Sequence, residues 1–399
     1  MHYNNFHVES GLLKQLDQKQ KQIGEYLLNC NLDYTDRIGI MDGLSGMVLA
    51  FSLYYRNTGD ERFFDKMNEA MDLIYDKIYS GNAPIVTYCS GIAGYAWLIL
   101  YLKENELIEV DLGDYLSDID KFLLQYAIIM IENKQFDPLH GVVGIGFYFL
   151  KRGNFSIIEK IIEALYHDRK EINGYLTWSW IKDGNEIADF GLAHGIPGAL
   201  FFLYKCYIKK FSPQKCSEMI RNNVSFMLKH INISGTPSYF PSSIECVQKK
   251  QFDGKQNFSR LAWCYGDLTA LYVLLKMSQS FPLEVDFNNM LEQVSERKNY
   301  SETLVRDAGF CHGTSGIAQI FNRLYHETGN TCFKETAIYW MERTLLWGTQ
   351  TEGIAGYVFT ENQNIPPLDV LVGISGVALT LLSFLNPKLI NWDESMFLS

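Results

Sequence analysis

Two kinds of apolar segment alternate along the chain. In one, such as Tyr95-Ala-Trp-Leu-Ile-Leu-Tyr-Leu102 and Val377-Ala-Leu-Thr-Leu-Leu-Ser-Phe384, apolar residues cover every side of a helix, as expected of a helix enclosed by neighbours. In the other, Phe63, Met67, Met71, Ile74 and Ile78 recur at helical spacing while Asp65, Lys66, Asp72, Asp76 and Lys77 take other faces, which predicts an amphipathic outer helix. A Gly-x-x-Gly phrase precedes the enclosed segments at Gly43-Leu-Ser-Gly46, Gly91-Ile-Ala-Gly94, Gly141-Val-Val-Gly144, Gly195-Ile-Pro-Gly198, Gly313-Thr-Ser-Gly316 and Gly373-Ile-Ser-Gly376, with a degenerate copy at Gly266-Asp-Leu-Thr269. The first glycines lie 48, 50, 54, 71, 47 and 60 residues apart, room for two helices and two loops per unit. The glycines suit a turn at the start of each inner helix, where they permit positive φ and close backbone approach. The unit is a helical hairpin, and seven of them make an all-α chain.

An open solenoid would need polar end repeats as caps, and neither end supplies one, so the expected architecture is a closed ring of seven hairpins, an α/α toroid. No strong domain boundary interrupts residues 1–399, which read as a single domain. The wide gap before Gly266, with Gly235, Pro237, Pro241 and Gly254 among polar residues, predicts a long loop or small insertion at about 231–259.

Composition narrows the function classes. A chain 47% hydrophobic and 14% aromatic can bury a large core, which excludes a disordered or fibrous protein. A net charge of −11 with no basic cluster argues against nucleic acid. The longest apolar run, residues 91–102, is short of the ~20 residues that cross a bilayer and reads as a buried helix. The first twenty residues lack the apolar core of a signal peptide, so a soluble, cytoplasmic protein is expected. Eight cysteines (Cys30, Cys89, Cys206, Cys216, Cys246, Cys264, Cys311 and Cys332) at irregular spacing suggest single thiols or metal ligands and not a disulfide framework.

Three helix junctions carry reactive side chains: Ala193-His194-Gly195, Trp263-Cys264-Tyr265-Gly266 and Phe310-Cys311-His312-Gly313. In a ring of parallel inner helices their N-termini converge, and Cys264, Cys311 and His312 become a Cys2His set, the three-ligand pattern of a catalytic zinc with an open fourth position. Helix N-termini would help keep the thiols ionised. His140, His167, His230 and His326 read as structural or exposed.

The phrases Gly-Leu-Ala-His-Gly-Ile-Pro-Gly at 191–198, Trp-Cys-Tyr-Gly at 263–266 and Cys-His-Gly at 311–313 resemble the lanthionine synthetase C family, the cyclases of lantibiotic biosynthesis, over essentially the whole chain. The resemblance implies an α/α toroid with one Zn2+ held by Cys264, Cys311 and His312. It implies Michael-type addition of a peptide cysteine thiol to dehydroalanine or dehydrobutyrine, closing a thioether ring. His194 then occupies the acid/base position, with Asp137 near it, and Arg260 and Tyr265 also match. Gly266-Asp-Leu-Thr269 departs from the Pro-Gly pair expected there. Asp137, before Pro138, has a plain alternative as a turn residue.

Full ionisation of a thiol at neutral pH raises its reactive population about thirtyfold, but the accompanying loss of nucleophilicity returns roughly twentyfold of that. Positioning is therefore the larger effect, with effective molarities up to ~10⁵ M or more. Enolate charge would fall to Arg260 and the α-carbon proton to His194.

The implied substrate is a dehydrated lantibiotic precursor peptide. A separate dehydratase is implied because the chain has no room for one, together with an export transporter and peripheral placement at the inner face of the membrane in a biosynthetic complex. Two alternatives stand beside the cyclase. One is zinc-dependent thiol transfer, by glutathione addition or protein prenylation. The other is a non-catalytic peptide-binding scaffold whose structural zinc takes Cys89 as fourth ligand.

Overall fold

A helix begins at each of the seven glycine phrases in the computed structural model, which describes residues 10–79, 85–232, 235–246, 258–360 and 366–399. These helices are Leu44–Thr58, Ile92–Glu104, Val142–Arg152, Ile196–Ile208, Asp267–Ser278, Thr314–Thr328 and Ile374–Leu385, each starting directly after the first glycine. They are buried on all sides: every residue from Ile92 to Leu102 and from Ile374 to Phe384 is inaccessible or nearly so. Glu61–Tyr79 is amphipathic as expected, but its inward stripe runs Phe63, Met67, Ala70 and Ile74, leaving Met71 and Ile78 half-buried at the edge. At 100° per residue those two positions lie well off the centre of the stripe, so the smaller Ala70 faces inward instead.

Positive φ is not why the phrases begin with glycine. Six of the seven first glycines have extended backbone, and only Gly266 lies in the left-handed half, at φ 116°. Space is the reason. At five of the seven the loop before the helix folds back so tightly that the first helical N–H reaches the carbonyl seven residues earlier: Leu44 to Arg37 (3.1 Å), Ile92 to Ile85 (2.9 Å), Val142 to Gln135 (2.8 Å), Thr314 to Asp307 (3.0 Å) and Ile374 to Pro367 (2.8 Å). A Cβ at Gly91 would lie 2.0 Å from the Ile85 carbonyl oxygen, and one at Gly94 2.1 Å from that of Tyr88. No side chain fits there.

Cα packing divides the chain into two compact units. In Met1–Leu123 with Arg306–Ser399, Leu44–Thr58 packs on Glu61–Tyr79, and Thr314–Thr328 on Thr331–Trp347, as helical hairpins. Successive loops here bond through the residue two before the glycine: Cys311 N–H donates to the Leu371 carbonyl (2.7 Å), Leu371 to Met41 (2.9 Å) and Met41 to Cys89 (3.1 Å). The seventh loop therefore bonds back to the first, a contact that an open solenoid lacks.

The unit Leu124–Val305 repeats this bond from Ala193 to Cys264 (3.2 Å) and adds two small antiparallel sheets that the helical pattern does not anticipate. Lys170–Ile172 pairs with Tyr175–Thr177 through Asn173-Gly174, and Trp180–Lys182 with Asn185–Asp189 through Asp183-Gly184. All four turn residues have positive φ, as two-residue hairpins with the primed turn require. Ser243–Glu245 joins the second sheet on Asn185–Asp189. It belongs to the expected insertion at 231–259, of which residues 233–234 and 247–257 lie outside the described residues.

The departure at Gly266-Asp-Leu-Thr269 has its own support. Asp267 is fully buried, Arg297 Nη1 donates to its Oδ1 (2.6 Å), and Tyr239 N–H donates to its Oδ2 (3.0 Å). Among the described residues no helix is long and apolar enough to cross a membrane.

The crowding at Gly94 sets a stability test. Gly94→Ala should destabilise by about 1–3 kcal/mol or more through overpacking against the backbone. Gly11→Ala, in the helix Ser10–Leu28 with nothing within 4 Å of the added methyl, should change stability by less than about 1 kcal/mol and favourably. Urea midpoints of the two variants compared with the parent decide it; equal midpoints would remove the packing account.

Candidate functional site

The junction residues share a register. Cys89, Cys264 and Cys311 each stand two before a phrase glycine, and His140, His194, Tyr265 and His312 one before. Because each loop turns tightly into its helix at a phrase glycine, the same side-chain positions recur from repeat to repeat, and chemistry depends on which residue occupies them.

Cys264, Cys311 and His312 each offer one ligand atom, and the three atoms lie within 4.8 Å of one another. Two thiols and an imidazole are the donor set that zinc favours. Cys264 is 6% exposed and Cys311 is half-buried, and each directly precedes the start of a helix, Asp267–Ser278 and Thr314–Thr328. Cys89, the candidate fourth ligand, is not in this group; burial pushes its thiol well above the ordinary value. Burial likewise pushes Cys30 up to about 11, Cys216 to about 12 and Cys246 to about 11, and Cys206 well upward, so these remain protonated thiols at neutral pH.

Asp137 and His194 come together from 57 residues apart. His194 Nδ1–H donates to Asp137 Oδ2 (2.8 Å), while Asp137 Oδ1 accepts the Leu139 and His140 N–H groups (2.8 and 2.7 Å). Asp137 is thus both the turn residue and the histidine's partner. Burial opposes its ionised form, but the hydrogen bond from His194 and that ring's charge outweigh it and hold the carboxyl below the usual range. Burial also disfavours a charged His194, and again the bond to Asp137 and its negative charge prevail, so the imidazole stays protonated to higher pH than a free one. With Nδ1 engaged by Asp137, Nε2 is the ring's other proton position.

Tyr265 packs with its ring 6.0 Å from that of His194, and Lys182 Nζ sits 5.2 Å above its face. Arg260 is half-buried, and its guanidinium makes no hydrogen bond or ion pair among the described residues. His140, read as structural or exposed, is exposed, and its ring stacks on His194 at 5.5 Å with 20° between planes. Asp189 was not singled out by its sequence context. It is 2% exposed, its Oδ1 accepts Gly191 N–H (2.7 Å), and burial pushes its carboxyl up to about 6. The signal for both residues was register: His140 aligns with His194, and Asp189 with Asp307, which makes the same bond to Gly309 (3.0 Å). His230 and His167 are structural or peripheral: His230 is buried with Nδ1 on the Phe226 carbonyl, and His167 pairs on the surface with Glu163.

The chain is 23% identical over 344 residues to the nisin biosynthesis protein NisC of Lactococcus lactis subsp. lactis, covering 78% of this chain and 79% of that one. It superposes on the structure of nisin cyclase with a TM-score of 0.74 and 18% identity, covering 98% of each chain. That likeness shows the fold, the α/α toroid expected from the seven phrases. The lanthionine synthetase C-like protein family matches residues 35–397. The chain belongs to the lanthionine synthetase C-like family.

Proposed function

We propose that the chain is a zinc-dependent lanthionine synthetase, a single-domain cyclase that adds cysteine thiols of a dehydrated lantibiotic precursor peptide to dehydroalanine or dehydrobutyrine in the same peptide, forming lanthionine or methyllanthionine rings. The observation that carries the reading is the convergence of the Cys264, Cys311 and His312 ligand atoms within 4.8 Å. Family membership over residues 35–397 and the Asp137–His194 pair support it.

Cys264, Cys311 and His312 would hold the zinc, which when bound supplies a Lewis acid that keeps a thiolate ionised and fixed in place. In the reaction the sulfur's electron pair forms the C–S bond at the β-carbon, and the double-bond electrons pass to the α-carbon and its carbonyl oxygen. Arg260, whose guanidinium has no ion-pair partner among the described residues, stabilises that enolate charge. His194 delivers a proton to the α-carbon from Nε2, and Asp137 keeps Nδ1 occupied and the ring oriented. Tyr265, beside the His194 ring, helps confine it. A separate dehydratase supplies the substrate, an exporter removes the product, and the enzyme works in the cytoplasm with peripheral contact to the inner membrane face.

Chelation of zinc, or Cys311→Ala, should leave dehydrated peptide with alkylatable thiols. Ring closure is an isomerisation, so intact mass is blind to it and the readout is thiol count after iodoacetamide. Thiols that disappear at the parent rate would sink the cyclase, whereas a gain of product mass would point to thiol transfer.

His194→Gln should slow ring closure by about a hundredfold or more. Asp137→Asn should act through pH. Asp137 raises the pKa of His194, so its neutralisation lowers that pKa, and the alkaline fall of the rate should move to lower pH. A rate–pH profile whose alkaline limb stays in place would show that Asp137 does not tune the histidine.

A further inference from the structure

The outward side of Glu61–Tyr79 carries Asp72, Tyr75, Asp76 and Tyr79, spaced as one continuous stripe of a helix. Tyr75 is 53% exposed and Tyr79 62%, with ring centroids 4.5 Å apart. Tyr115, 38% exposed, and Asp118, both on the helix Leu112–Glu132, lie near enough to Tyr79 for their charges to act on it. A hydrogen bond between the Tyr115 and buried Tyr95 hydroxyls fixes the third ring.

The carboxylates around these rings are largely unspent. Asp72, Asp76 and Asp114 are exposed and form no ion pair among the described residues, and only Asp118 is paired, with Lys121. The helix's own cations are committed elsewhere: Arg62 to Glu25 and Asp60, Lys66 to Glu69, and Lys77 to Asp33 and Asp36. A surface of aromatic faces edged by unpaired carboxylates repels anionic lipid and nucleic acid and attracts lysine and arginine, through cation–π contact and charge together. Tyrosine adds contact area at little entropic cost. Three rings fall far short of the roughly 1,200–2,000 Å² that a stable interface between folded proteins buries, so a short linear segment fits and a folded partner does not.

We propose that the Tyr75–Tyr79–Tyr115 face is a docking surface for a lysine- or arginine-rich segment of the peptide substrate. This rests on the reading of the chain as a peptide cyclase and adds where the substrate is held outside the reacting site.

The test is fluorescence anisotropy of the full-length, zinc-loaded protein with fluorescein-labelled oligolysine, and with oligoglutamate as counter-probe. Oligolysine should bind, weaken as salt rises, and outcompete oligoglutamate. Tyr75→Ser with Tyr79→Ser should weaken binding about tenfold, and Asp72→Asn with Asp76→Asn should weaken it and flatten its salt dependence. All four positions are exposed, and unchanged circular dichroism will verify the fold of both variants. Failure of oligolysine to bind, or parent affinity in both double variants, overturns the proposal. Cys311→Ala should bind oligolysine as the parent does, so loss of ring closure with docking intact counts against the cyclase alone, and loss of docking with ring closure intact against this surface alone.

Discussion

The loop before each glycine-started helix must turn through the space a β-carbon would take. In five of the seven repeats the first helical N–H reaches back seven residues, and the phrase glycines lie against carbonyl oxygens at distances no side chain tolerates, 1.9 Å from Phe310 at Gly316 and 2.1 Å from Val370 at Gly376. Once glycine permits this turn, the loop presents the N–H and C=O two residues earlier to the adjoining loops. Met41 uses both, donating to Cys89 and accepting from Leu371. An unpaired buried amide costs about 1–3 kcal/mol, so these bonds constrain the register of neighbouring repeats as firmly as apolar packing does.

The site is a by-product of that backbone constraint. Cys311 sits in the chain of loop bonds through its N–H, and Cys264 through its carbonyl, so their main chains are held before any ligand arrives. Only a short side chain then remains to be ordered, at the positive end of a helix. The same register position holds Met41, Leu139 and Ala193 in other repeats, where it simply packs in the core, and a half-buried Leu371 in the last. One scaffold position therefore serves as core in some repeats and as candidate ligand in others, and the sulfur donors come from two different repeats.

How much of this was legible follows the range of each interaction. The seven phrases and the enclosed helices are written in local periodicity. Their register makes Cys264, Cys311 and His312 conspicuous despite the 47 residues between the two cysteine positions. The hairpins at Asn173-Gly174 and Asp183-Gly184 were equally local, since both dipeptides are strong turn signals, but each flanking strand is only three to five residues long and carries too little alternation to stand out. Asp267–Arg297 was not legible. Nothing near Asp267 shows that a buried guanidinium will arrive from 30 residues away, and the missing Pro-Gly reads as a defect until that partner is seen. Removing one partner of such a pair typically costs about 3–5 kcal/mol, because the other charge remains buried, so the substitution binds the start of Asp267–Ser278 to the segment carrying Arg297.

Asp137 shows why a structural and a chemical reading of one residue need not compete. Its Oδ1 is spent on two backbone N–H groups of its own turn, which favours the ionised form, and its Oδ2 is left facing His194. The turn thus helps fix the charge that the histidine needs. Held below the usual carboxylate range, Asp137 is a poor proton carrier, so the proton between the two groups resides on His194, whose affinity for it is raised by the same contact. Asp189 lies on the other side of that balance: a buried carboxyl pushed up to about 6 adds less negative charge near neutrality than an exposed one, and it shapes the loop to His194 through Gly191 without competing with Asp137 for the ring. Proton custody in this site is set by how many backbone amides each carboxylate receives and how deeply it is buried, and both follow from the loop geometry that the glycines allow.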